Sequence, residues 1–177
     1  METLNSELRN RLLRITALCS EYCLTVENAA SQERDEFVRN TLSLLPQIYY
    51  EFLTCEGDSA MLDEEDYFAD YVDEDYYESV RRNIEHLLGP DDVFLETFEE
   101  DMKYSDTPIG ASIGECLADI FQPLYNYISI VRETEGDKMS EAYTECRENF
   151  IAYWSQTLCN VLRALNNLYT TNTHTND

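Results

Sequence analysis

The stretch from Ser112 to Glu133 constrains the fold more than any other part of this sequence. Its apolar residues recur at steps of three or four, which places them in one stripe along a helix of about 3.6 residues per turn. Ser112 followed by Glu115 fits a capping box and predicts where this helix begins. Pro123 lies in the middle and has no N–H for the carbonyl of Asp119, so we expect a kink there. The stripe consists of Ile113, Leu117, Ile120, Leu124, Ile128 and Val131.

The same apolar spacing predicts four more helices, one of which also contains a proline. They run from about Leu4 to Ala29, from about Ser31 to Phe52 with Pro46 inside, from Asp73 to Leu88, and from about Lys138 to Tyr169. With only 5 Gly and 4 Pro, the chain has few of the turns that a strand-rich fold needs. We therefore predict an all-α, single-domain bundle of about five main helices, two of them kinked at proline. This domain spans residues 1–169, and the polar tail 170–177 is predicted to be disordered.

Acidic residues are concentrated in the middle of the chain. The formal net charge is -24, from 36 acidic and 12 basic residues, and nineteen of the acids lie in residues 56–107 beside three basic residues. Gly57–Val72 has no helical stripe, so we predict an acidic surface loop there. Asp91–Lys103 fits either an extended segment or a short helix that its two aspartates begin, and we predict the short helix.

This charge and the cysteine pattern limit the classes of partner and compartment. A strongly acidic surface repels phosphate backbones and anionic lipid, so we expect neither nucleic-acid nor membrane binding and regard a basic protein partner as the natural alternative. The longest uncharged run, Asn149–Leu162, is too short and too polar to span a bilayer. The first residues lack a secretory pattern, and the six cysteines contain no Cys-x-x-Cys pair. We therefore expect a cytoplasmic protein whose cysteines are thiols.

Four acidic residues nearly match a metal-binding pattern. Glu96 and Glu99, followed by Glu115 and Asp119, resemble the paired acidic motifs by which all-helical nucleotide pyrophosphatases hold magnesium. The second pair is spaced four apart rather than three, and no basic residue follows where a phosphate would need one. A magnesium-dependent nucleotide phosphohydrolase is therefore an alternative hypothesis, and no cofactor is predicted outside it.

Tyrosines beside carboxylates form a second group of candidates. The sequence has 13 tyrosines, and Tyr67, Tyr71, Tyr76 and Tyr77 lie in the acidic middle of the chain. Tyrosine combines apolar area with a polar tip and suits protein contacts. The same residues equally fit hydroxyls that reach water at the edge of a core. Asp119, on the polar face of its helix, is the remaining binding candidate.

One run of the sequence reads EDMKYSDTPIGASIGECLADIFQPLYNYI, and a later one reads NFIAYWSQTLCNVLRALNNL. Together they resemble a family of uncharacterised bacterial proteins, a domain of unknown function common in gut anaerobes, and the likeness is strongest from Leu88 to Leu168. The resemblance implies an all-helical cytoplasmic domain and transfers no active site.

The function is therefore unknown from sequence, and an enzymatic role is the less favoured class. The leading hypothesis is a non-enzymatic interaction module whose acidic, tyrosine-rich surface meets a basic partner. A third hypothesis is a small-ligand pocket between the two kinked helices, near Pro46 and Pro123.

Overall fold

Helices form nearly all of the regular structure in the part of the chain that is described. The structure is a computed structural model and describes residues 2–57, 68–96 and 109–175. Within them the α-helices are α1 Glu2–Glu27, α2 Arg34–Thr54, α3 Glu74–Leu88, α4 Ile113–Glu133, α5 Met139–Asn149 and α6 Ser155–Thr175. The other elements there are 3₁₀ turns at Ala29–Ser31 and Gly89–Asp92, a π-helical turn at Phe150–Trp154, and strands β1 Val93–Leu95 and β2 Gly110–Ser112. The all-α bundle predicted from the sequence is confirmed.

Helix α4 lies at the centre of this bundle. It packs against α1, α3, α5 and α6, whereas α2 packs against α1 and α6. Leu117, Ile120 and Leu124 of the predicted stripe are completely buried. At the start of the helix, the Ser112 hydroxyl accepts a hydrogen bond of 3.0 Å from the Glu115 amide, which confirms the predicted cap. An apolar stripe that is buried against four neighbours makes α4 the helix around which the others assemble.

Pro46 and Pro123 each lie inside a helix that continues on both sides. Helices α2 and α4 run unbroken through their prolines. Because proline has no N–H, the carbonyls of Leu42 and Asp119 lose their usual helical donor. The carbonyl of Pro123 itself accepts a hydrogen bond from the Cys146 thiol at 3.6 Å, which links α4 to α5.

The last helical segment contains a π-helical turn between α5 and α6. The Ser155 amide donates to the carbonyl of Phe150, a spacing of five residues instead of four. Four of the buried residues in this region are each separated from the next by four positions in the sequence. In a regular α-helix of 3.6 residues per turn, side chains at this spacing drift gradually away from one face. The wider π turn compensates for this drift and keeps all of them in the core. These residues are Cys146, Phe150, Trp154 and Leu158.

The C-terminal boundary of the helical domain lies beyond the predicted one. Helix α6 continues to Thr175, so the predicted disordered tail at 170–177 is wrong for residues 170–175.

The prediction of a short helix in residues 91–103 is also wrong where the structure describes it. After the 3₁₀ turn, β1 pairs with β2 in antiparallel register, with Val93 opposite Ser112. The Asp92 carboxylate accepts a hydrogen bond of 2.8 Å from the Gly114 amide, so the aspartate binds the start of α4 instead of beginning a helix of its own. Within the predicted loop Gly57–Val72, residues 68–72 are irregular as expected, and residues 58–67 and 97–103 lie outside the described residues.

Candidate functional site

Asp119 lies on α4, where hydroxyl groups from two other elements reach its carboxylate. Tyr77 of α3 donates to Oδ1 at 2.7 Å, and Tyr153 of the π turn donates to Oδ2 at 3.4 Å. Burial raises the pKa of the Asp119 carboxyl, and the two hydrogen bonds oppose this shift. Burial, followed by the bond to Asp119, raises the pKa of Tyr77. Asp119 therefore joins α3, α4 and the π turn at one point.

A cleft of about 280 Å³ opens beside Asp119, between α4 and the π turn. Asp119 and Pro123 line it from α4, and Tyr153 and Trp154 line it from the π turn. A smaller cavity of about 80 Å³ adjoins it, and we call the two together the α4 cleft. The residues that line both are Asp70, Pro123, Asn126 and Asn149.

Both helices that form the α4 cleft depart from regular geometry where they face each other. Pro123 removes a hydrogen bond from α4, and the π turn widens the opposite helix. Such turns often accompany functional sites, because they move side chains out of the regular helical positions.

The segment 68–72 forms a further wall of the α4 cleft. The Tyr71 amide donates to Asn126 Oδ1 at 2.9 Å, and Asn126 Nδ2 donates to Asp70 Oδ1 at 3.2 Å. The Tyr71 hydroxyl donates to Glu133 at 2.6 Å. A single asparagine of α4 therefore holds both the backbone and the aspartate of this irregular segment in place.

The α4 cleft is lined by negative charge. Asp70, Asp119 and Glu145 all lie along it, and none of the described residues that line it is basic. Burial raises the pKa of Glu145, and the nearby charges of Asp70 and Glu148 raise it further. Carboxylates that are desolvated beside like charges favour a bound cation, since a cation would lower the cost of keeping them ionised.

The tyrosines predicted as binding residues hold the bundle together. The hydroxyls of Tyr71, Tyr76 and Tyr77 donate to Glu133, Glu27 and Asp119 respectively. All three side chains are half-buried, so they neither project freely nor simply end in water. Tyr67 lies outside the described residues.

Three of the four residues of the magnesium hypothesis lie close enough to Cys116 for their charges to act on its thiol. Glu96 follows β1 and is buried, at 7% exposure, while Glu115 is exposed on the first turn of α4. Burial, followed by the charges of Glu96, Asp119 and Glu115, raises the pKa of the Cys116 thiol to about 12. No group of three or more His, Cys, Asp or Glu among the described residues is arranged to hold a metal ion, and Glu99 lies outside them. Magnesium binding stays a prediction.

The α4 cleft does not lie between the two proline-containing helices, where a pocket was predicted. Pro123 lines the α4 cleft, but the opposite wall is the π turn, and Pro46 is exposed on α2. The prediction was wrong about the partner helix because α2 packs against α1 and α6 instead of facing α4.

Sequence analysis missed the π turn and the residues that it supplies. Tyr153 and Trp154 are neighbours in sequence, yet Tyr153 is 59% exposed and Trp154 is completely buried. The missed signal is the run of four-residue steps from Cys146 to Leu158, which is longer than the helical repeat allows without an extra residue.

These features define an all-α protein with an acidic cleft between a proline-containing helix and a π turn. The chain belongs to the family described as a domain of unknown function (DUF5063), whose model matches residues 6–171. The crystal structure of protein BF1032 from the gut anaerobe Bacteroides fragilis is similar, with a TM-score of 0.75 and 28% sequence identity. The likeness covers 89% of this chain and 91% of that chain. No functionally curated protein matches the sequence. In the described ranges, none of the helices has the length and apolar character needed to cross a membrane.

Proposed function

We propose that this protein is a non-enzymatic interaction module that binds a basic partner protein through the α4 cleft. One observation carries the proposal: Asp70, Asp119 and Glu145 line the α4 cleft, and none of the described lining residues is basic. The proposal assigns no reaction to the cleft.

Electrostatics supports a cationic partner. The chain carries a net charge of -24, and a cleft with low-dielectric walls concentrates the field of the charges along it. Burial raises the pKa of Asp119 and of Glu145. Neither carboxylate forms a salt bridge with another described residue, so a lysine or arginine side chain of the partner supplies the counter-charge, and long-range attraction speeds its approach.

The same charge disfavours the other macromolecular partners. Nucleic acids and anionic lipid surfaces are repelled by a protein of this sign, since their affinity comes largely from cationic contacts. We also infer a cytoplasmic location. It is supported by the six free cysteines, of which Cys19, Cys23, Cys55 and Cys146 are buried as thiols, as a reducing compartment would keep them.

Calorimetric titration with a basic octapeptide that repeats Gly-Lys-Gly-Arg tests the proposal. We expect binding at about 50 mM salt that weakens strongly at about 500 mM, because screening shortens the reach of the charges. Asp119→Asn and Glu145→Gln should each weaken binding about tenfold or more, since each removes a charged, partly desolvated acceptor.

Glu21→Gln provides the matched control, because it removes the same charge from an exposed position on α1 away from the cleft. It should change the affinity less than about twofold. Equal losses in Glu21→Gln and Asp119→Asn would mean that net charge alone attracts the peptide, and binding that is insensitive to salt would remove the electrostatic basis of the proposal.

A further inference from the structure

The two carboxylate oxygens of Asp119 are held unequally. Oδ1 accepts a bond of 2.7 Å from Tyr77, which is half-buried between α3 and α4. Among the described residues, Oδ2 accepts only the 3.4 Å contact from Tyr153, whose side chain is 59% exposed. A bond of that length is weak, because hydroxyl hydrogen bonds normally lie between about 2.5 and 3.0 Å. Oδ2 is therefore the oxygen that remains available to a donor from outside.

The surroundings of Oδ2 combine acceptors with aromatic surface. Gln122 and Asn149 contribute side-chain amides to the wider part of the α4 cleft, and Tyr153 contributes an exposed ring. A guanidinium group matches this combination, since it is planar, carries five donors in a fixed fork and stacks on aromatic faces. An ammonium group is a compact, strongly hydrated charge that gains less from a flat wall.

We propose that the wider part of the α4 cleft is an arginine subsite. The guanidinium of a partner's arginine donates to Asp119 Oδ2 and lies against the Tyr153 ring, and it replaces the long contact from the Tyr153 hydroxyl. This inference rests on the proposed function and specifies which basic side chain the α4 cleft selects. Tyr77 keeps Oδ1 in place, so Asp119 stays oriented when the ligand binds.

The chain provides its own reporter for this subsite. Trp154 is the only tryptophan in the sequence, and it lines the α4 cleft. Its indole N–H is buried without a hydrogen-bond acceptor among the described residues, and its ring contacts Phe52 and Phe150. Because Trp154 follows Tyr153 directly in the π turn, the single indole N–H resonance in a nitrogen–proton correlation spectrum reports on packing beside the cleft.

The test compares two octapeptides of alternating residues, one of Gly and Arg and one of Gly and Lys. We expect the arginine peptide to bind at least about fivefold more tightly and to shift the Trp154 indole resonance. Tyr153→Ala should weaken the arginine peptide about two- to fivefold and leave the lysine peptide unchanged, because it removes the ring. Tyr153→Phe keeps the ring and loses only the hydroxyl, so its affinity for the arginine peptide should match or exceed that of the natural chain.

Tyr50→Ala is the control for loss of an exposed tyrosine, since Tyr50 is 61% exposed on α2 and does not line the α4 cleft. It should bind both peptides like the natural chain. Equal affinity for the two peptides, with Asp119→Asn still harmful, would refute the arginine subsite and leave the basic partner intact. Equal losses in Tyr153→Phe and Tyr153→Ala would likewise refute the stacking role. Failure of both peptides to bind or to shift the indole resonance would overturn the proposed function itself.

Discussion

Gly114 is the position where a single methyl group should disturb the candidate site from a distance. It lies in the first turn of α4, where α3 approaches closely. A Cβ at Gly114 would lie 2.9 Å from the carbonyl oxygen of Arg81 and 2.8 Å from Glu85 Cγ. The Arg81 carbonyl belongs to the backbone of α3, so it cannot move unless the helix moves. Gly114→Ala should therefore push α3 away from α4 and lengthen the bond between Tyr77 and Asp119.

The size of this effect follows from two opposing contributions. Overpacking a close contact costs about 2 to 3 kcal/mol when the neighbour is rigid. Replacing glycine by alanine in a helix returns up to about 1 kcal/mol. We expect Gly114→Ala to lower the free energy of unfolding by about 1 to 2 kcal/mol. For a chain of this length that corresponds to a decrease of roughly 2 to 8 °C in the unfolding midpoint.

Thermal unfolding followed by circular dichroism measures the change, and Gly110→Ala is the control. A Cβ at Gly110 would have Val93 Cγ1 as its nearest neighbour, at 3.9 Å, which is ordinary van der Waals contact. The control should be unchanged or slightly more stable, because alanine restricts the unfolded chain. If Gly114→Ala were as stable as Gly110→Ala, the close approach of α3 and α4 would be refuted.

Three further predictions concern the candidate site and the thiols. Tyr77→Phe should cost about 1 to 2 kcal/mol of unfolding free energy in chemical denaturation, because it removes a hydrogen bond to a half-buried carboxylate; no change would mean that water replaces the hydroxyl at no cost. Burial raises the pKa of Asp119 in the folded state, so folding favours the protonated form of this carboxyl. The stability that this preference contributes is fully present at low pH and is lost as the pH rises through the folded pKa. The unfolding midpoint of the natural chain should therefore fall relative to that of Asp119→Asn between about pH 3 and pH 7, and a constant difference would contradict the raised pKa. Cys159 is the one exposed cysteine, and burial raises the pKa of the half-buried Cys116 to about 12, so a thiol reagent near neutral pH should label one group rapidly in the native protein and all six after unfolding.

The helices were predictable because their signals are local. The stripe of α4 and the cap at Ser112 depend on residues within one or two turns of each other, and both are confirmed. The predicted start of α3 at Asp73 is confirmed in the same way, since the Asp73 carboxylate accepts a hydrogen bond of 2.8 Å from the Tyr76 amide. The short helix predicted after Pro90 was wrong because β1 depends on β2, which follows it only after many residues.

The candidate site was only partly predictable. Asp119 and Tyr77 were both chosen from the sequence, but their direct bond was not, since they lie 42 residues apart on different helices. Tyr153 was not chosen from the sequence, and it is exposed because the π turn shifts the positions around it. The role proposed for Pro46 was wrong because no local pattern specifies which helices face each other.

The sequence by itself determined the class of the fold and the sign of the surface. Helical periodicity depends on spacing along the chain, and net charge depends on composition, so neither requires knowledge of the packing. Tertiary structure decided where the acidic surface becomes concave and which tyrosines meet which carboxylates. It placed Pro123 opposite the π turn and brought Asp70 beside the same opening, so three carboxylates distant in sequence line one cleft. The physical reason is that helix packing is set by the fit of whole faces, and that fit joins residues with no pattern between them along the chain.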